Sequence, residues 1–110
     1  MKTKFTHFLS ELQQKCVYNT NENDFEIGYR CATQCINETI ETRKNIFIED
    51  VEDVNNSEEC KLYIEDCINN ILWVITETLD NKNDNNDFNK GYEKKVAEFV
   101  KAIENYKKDT

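Results

Sequence analysis

An all-helical fold, an antiparallel four-helix bundle made of two copies of one helix–loop–helix unit, follows from three features of the sequence. The first is a repeat. Asn23-Asp24-Phe25-Glu26-Ile27-Gly28-Tyr29 returns 63 residues later as Asn86-Asp87-Phe88-Asn89-Lys90-Gly91-Tyr92, and these two copies hold both glycines of the chain. The match extends outward, with Phe5, Phe8, Leu9, Leu12 and Cys16 falling on Ile68, Ile71, Leu72, Ile75 and Leu79. Downstream, Ile36, Ile40 and Glu41 fall on Phe99, Ile103 and Glu104. Self-similarity at a fixed offset sets architecture before any residue is read for chemistry. The second feature is apolar residues recurring at the period of an amphipathic helix. The third is a pair of Asn-rich connectors at equivalent places, each leading into a residue suited to capping the next helix.

The first helix is expected from about Lys4 to Cys16, with positions 5, 8, 9, 12 and 16 tracing one stripe. Asn19, Thr20, Asn21 and Asn23 form the first polar connector. Asn23 caps the second helix, and Glu26 three residues on completes a capping-box pattern. The second stripe is Phe25, Tyr29, Ala32, Ile36 and Ile40; it continues through Phe47, Val51 and Val54, interrupted only by Arg43. A long second helix reaching about Asn55 is therefore expected, the alternative being a short extended link at Ile46-Phe47-Ile48.

Ser57 is a good N-cap for the third helix, and Glu58 and Glu59 suit the positive end of its dipole. Its stripe of Cys60, Ile64, Cys67, Ile68, Ile71, Ile75 and Leu79, widened by Leu72 and Val74, makes it the most apolar helix. After the connector Asp80–Asn85, the fourth helix starts at Asn86 and carries Phe88, Tyr92, Val96, Phe99, Val100, Ile103 and Tyr106. Lys107 and Lys108 sit at its negative end. One domain over residues 1–110 results: repeat 1 at about 4–45, an acidic junction at about 46–59 and repeat 2 at about 60–108. The competing arrangement pairs two helical hairpins that swap or dimerise through the middle segment.

Charge narrows the partners. Twenty-two acidic residues against fourteen basic give a net charge of −8. Direct binding to nucleic acid or anionic lipid needs a basic footprint, which this balance argues against. It permits a basic protein partner, or mimicry of nucleic acid toward a protein that binds it. Met1-Lys2-Thr3-Lys4-Phe5 leads into no apolar signal segment, and the run from Ile71 to Ile75 is far too short to span a bilayer. A cytoplasmic protein without membrane contact is expected.

Several constellations have a chemical and a structural reading. Gly28 and Gly91, each one turn into its helix, are either ligand approach points or places where a neighbouring helix comes close. Because Gly costs about 1 kcal/mol against Ala inside a helix, packing is the reading that repays it. Cys31 with Cys35, and Cys60 with Cys67, could surround a metal only across two helices, and the tight knuckles of structural zinc sites are absent. Cys60 and Cys67 lie in the apolar stripe as small hydrophobes. No metal and no cofactor is expected.

Asp80-x-Lys82-x-Asp84 has a cation where a calcium loop needs an acid or amide, and it lacks the Gly and closing Glu of that loop. The lone His7 has no nucleophile beside it, and no carboxylate stands in an apolar run that would tune it for acid–base work. The sequons at Asn37 and Asn55 are chance in an Asn-rich chain. No enzymatic activity is expected.

Two features exceed what a plain bundle needs. Leu62 and Trp73 lie eleven residues apart, three turns, on the side of the third helix opposite its stripe. They either pack under a further helix or stand out as anchors; coverage of a central helix on two sides favours burial of Trp73. Glu49, Asp50, Glu52, Asp53, Glu58, Glu59, Glu65 and Asp66, against Lys61 alone, concentrate −7 in residues 46–66. Such charge speeds association with a basic surface and selects for it. The expected function is therefore a non-enzymatic inhibitor that blocks a basic nucleic-acid-binding or active site, as a phage or mobile-element anti-defence protein or a toxin-immunity protein does. Glu49, Asp50, Glu52, Asp53, Glu58, Glu59, Leu62, Glu65, Asp66 and Trp73 are its expected partner-binding residues. The alternatives are a homodimeric structural or regulatory protein, or a small-ligand sensor if the few basic residues converge.

Overall fold

The computed structural model describes residues 2–16, 21–80 and 84–109, and four helices account for most of them: α1 (Lys2–Leu12), α2 (Asp24–Asp50), α3 (Ser57–Thr78) and α4 (Asn86–Asp109). Asn19 and Thr20 of the first connector, and Asn81, Lys82 and Asn83 of the second, lie outside the described residues. Among the described residues there is no strand. The bundle is elongated, 49 × 24 × 23 Å.

Caps form where the sequence places them or one residue away. Asn23 Oδ1 accepts the Glu26 N–H at 2.8 Å. Asn56 rather than Ser57 caps α3, accepting from Glu58 and Glu59, and α4 begins at Asn86 as expected, capped by Asn85, which accepts from Asp87 and Phe88. Each bond satisfies a donor that the first helical turn leaves unpaired.

Two helix ends differ from expectation. α1 stops at Leu12 instead of continuing to Cys16. The side chain of Asn37 on α2 clasps the Gln14 backbone from both sides, accepting its N–H at 3.0 Å and donating to its carbonyl at 2.6 Å. Gln13 Nε2 adds bonds to the Asn37 carbonyl and to Glu41 Oε2. The residue 63 positions beyond Asn37 is Val100, which offers no such competition, and the matching part of α3 stays helical. α2 is long and helical through Ile46-Phe47-Ile48, but it ends at Asp50, and residues 51–53 form a turn. Glu49, Asp50, Glu52 and Asp53 crowd the negative end of the helix dipole, which opposes further turns there. Val51 remains buried beneath that turn.

Consecutive helices run antiparallel. Phe5 meets Phe47 edge-on at 4.9 Å while Gln13 and Gln14 reach back to Asn37. The Cys67 thiol meets the Arg43 carbonyl, and Tyr92 bonds Thr78. In an open bundle α2 and α4 would be diagonal and apart. Here they lie against each other, parallel: their first turns meet at the glycines, and farther along Phe47 and Tyr106 both reach the ring of Phe5.

The seam between α2 and α4 is reciprocal. A Cβ built on Gly28 would overlap the Phe88 carbonyl, 2.8 Å from its carbon; a Cβ on Gly91 would overlap the Phe25 carbonyl at the same 2.8 Å. Phe25 and Gly28 are the residues that recur as Phe88 and Gly91, so each copy buttresses the other. Burial repeats in register: Gly91, Lys95, Val96, Phe99 and Ile103 are the buried residues of α4, and Gly28, Ala32, Thr33, Ile36 and Ile40 are their buried counterparts on α2. The core is completed by Phe5 and Leu9 of α1 and by Ile64, Ile68, Ile71 and Ile75 of α3.

Candidate functional site

All ten residues expected to bind a partner are exposed. They run from the last turn of α2, across the turn at residues 51–53, onto α3. Val51 and Cys60 bury themselves on either side of this junction, so the polar neighbours of each are turned outward. Among the described residues none of its eight carboxylates pairs with a cation; the ion pairs lie elsewhere, at His7–Glu11, Arg30–Glu22 and Lys44–Glu41.

Trp73 corrects an expectation. It is 61% exposed and Leu62 is 63% exposed, because α3 is a peripheral helix covered on one side only. With α3 buried through Cys60, Ile64, Cys67, Ile68, Ile71 and Ile75, the 100° spacing carries Leu62 and Trp73 to the opposite side, with Glu58 and Asp66 near the same line. Ile46 and Ile48, 42% and 48% exposed, add apolar surface on the last turns of α2.

The cysteines hold no ligand geometry. Cys67 is buried, and burial pushes its thiol up to about 11, away from the thiolate that a metal or nucleophilic role needs. Among the described residues no three of His, Cys, Asp and Glu are placed to share a metal ion, and no helix is long and apolar enough to cross a membrane.

The sequence reading missed a second site. Beside the first turns of α2, a cavity of about 480 Å³ is lined by Lys15, Phe25, Tyr29, Arg30, Lys94 and Glu98 among others. Arg30 is held by Glu22 at 3.0 Å. Tyr29 donates its hydroxyl to Glu98 at 2.6 Å, and behind this pair the Lys95 ammonium donates to Gln14 Oε1 at 2.5 Å and lies 5.2 Å from the centre of the Tyr29 ring. Lys95 is only 5% exposed. Burial lowers its pKa, against the pull of Glu98. The signal for it was present in the repeat: sliding the chain by 63 sets Lys95 on Ala32, a member of the α2 stripe.

Tyr29 and its twin Tyr92 are both pushed up to about 12, Tyr29 by its bond to Glu98 and then by burial, Tyr92 by burial first and then by the neighbouring Cys35 thiol. A raised folded-state pKa contributes stability that is complete below the ordinary tyrosine value of 10.0 and lost as pH rises toward 12. Alkaline titration followed by tyrosinate absorbance should therefore show a late-ionising pair whose titration coincides with loss of helical circular dichroism.

No protein-family model, curated protein or solved structure matches this chain.

Proposed function

We propose that this chain is a non-enzymatic, acidic inhibitor that binds another protein through the face running from Glu49 to Asp66 and along α3 to Trp73, covering a basic nucleic-acid-binding or active site on its target. An anti-defence protein of a phage or mobile element, or a toxin-immunity protein, is the class this describes. The observation that carries the reading is the pairing of Leu62 and Trp73, each more than 60% exposed, with carboxylates that form no ion pair among the described residues. A solvated helix face has no use for a Trp, whereas Trp is the side chain most enriched where binding energy concentrates. Unpaired carboxylates around it steer a basic partner in and repel acidic ones.

Self-association through the same face is disfavoured by its own charge. A two-fold contact is isologous, so it would set the −7 segment against its copy. Light scattering at micromolar protein is expected to report a monomer; a stable dimer would favour the structural-protein alternative instead.

Trp73→Ala and Leu62→Ala separate binding from folding. Exposed substitutions usually change stability by no more than about 0.5 kcal/mol, while loss of an interface anchor costs about 2 kcal/mol or more of binding. Both variants are expected to unfold in urea like the parent and to lose capture of the partner from the source cell. Capture at parental strength by the two variants would remove this face from the account.

A further inference from the structure

The two halves of the molecule serve as controls for each other. At five equivalent positions beside the α2–α4 seam, one flank has Tyr29, Arg30, Lys94, Lys95 and Glu98, and the other has Tyr92, Glu93, Cys31, Ala32 and Cys35. Ala32 is fully buried, so the fold is served by a methyl group there. The Lys95 ammonium in the matching place carries a desolvation cost that packing does not require. It makes one hydrogen bond, to Gln14; its remaining N–H donors have no acceptor among the described residues. In a chain of net charge −8, Lys15, Arg30 and Lys94 nevertheless line one cavity, and the Lys95 ammonium lies directly behind its wall, bonded to Gln14 and over the Tyr29 ring.

We propose that this cavity binds a small organic phosphate bearing hydroxyl groups, a sugar phosphate or mononucleotide, with Lys94 and Lys15 holding the phosphate, Lys95 adding positive charge from behind Gln14, and Glu98 accepting the hydroxyls. Its volume of about 480 Å³ falls within the range of small-molecule sites, about 300–1,000 Å³. Glu22, Glu26 and Glu98 also line it, which excludes a bare polyanion such as a nucleic-acid backbone and suits a ligand that is anionic at one end and hydrogen-bond-donating at the other. Glu98 spends one lone pair on Tyr29 and keeps others for hydroxyl donors. Lysine ammoniums act on phosphate as point charges and need no fixed fork geometry. The site lies beside the first turns of α2, whereas the acidic face begins at that helix's far end, so ligand binding and partner binding are separate properties.

Calorimetric titration of the full chain with ribose 5-phosphate, adenosine monophosphate, inorganic phosphate and adenosine tests this, alongside Lys95→Met, Lys94→Ala and Glu98→Gln. Ribose 5-phosphate or the mononucleotide is expected to bind and adenosine is not; whichever of the two phosphates binds more tightly identifies the ligand class. Lys95→Met should raise the ligand-free melting midpoint while weakening binding, because it removes a positive charge that acts on the phosphate through the thin, poorly hydrated wall of the cavity. Lys94→Ala, at an exposed position, should weaken binding without moving the midpoint, and it decides the matter if Lys95→Met does not fold. Glu98→Gln should weaken the hydroxylated ligands and leave inorganic phosphate unchanged. Absence of binding by all the phosphates, or parental binding in Lys94→Ala and Lys95→Met, overturns the proposal.

Discussion

Gly28→Ala and Gly91→Ala are each expected to destabilise the protein by about 3 kcal/mol, at the upper end of what overpacking costs. Helix propensity alone predicts the opposite sign, since Ala is favoured over Gly by about 1 kcal/mol in a helix interior. The clash decides the outcome. Each new methyl would sit 2.8 Å from a backbone carbonyl carbon of the opposing helix and overlap its oxygen. Backbone cannot rotate aside as a side chain does, so α2 and α4 would have to separate, loosening Ile36, Ile40, Phe99 and Ile103 behind them. The double variant should cost less than the sum of the two, because the first substitution already opens the gap that the second needs. Urea unfolding of the three variants measures both effects.

Reversing Glu49, Asp50, Glu52 and Asp53 to Lys is expected to lower affinity for the partner about 100-fold or more, mostly through slower association, because steering by complementary charge spans about that range. All four side chains are exposed, and their removal from the negative end of α2 leaves folding intact or slightly improved. Each reversal changes the charge by two, bringing the chain from −8 to neutrality, so net charge needs its own control. The same reversal at Glu38, Asp84, Glu104 and Asp109, exposed sites away from this face, should leave most of the affinity in place. Equal losses in the two sets would mean that overall charge, not this face, governs capture. Binding of the parent should also weaken steeply with salt.

Much of the fold could be read from residues alone because its determinants are periodic. The stripes and the offset of 63 mark which side of each helix is covered, and the α2 and α4 burial patterns coincide at every buried position of α4. What escaped depends on groups distant in sequence. Nothing near Leu12 announces that Asn37 will take up the Gln14 backbone and end α1 early. The apolar stripe of α2 continues past Asp50, yet accumulated carboxylates at the helix end outweigh it. For Trp73 the helical wheel fixed the side of α3 but not whether another helix would cover that side. Lys95 was hidden by its type: a lysine inside an amphipathic pattern reads as solvated, and only comparison with Ala32 marks it as buried. The acidic face was the readable part of the candidate sites, since it needs nothing but charge order and exposure.

Backbone nuclear Overhauser contacts across the α2–α4 seam test the doubled, reciprocal architecture most directly. The account predicts paired signals between the Gly28 α-protons and the Phe88 backbone and between the Gly91 α-protons and the Phe25 backbone, arising within one monomer. Absence of both, or their appearance only between separately labelled chains, would contradict it.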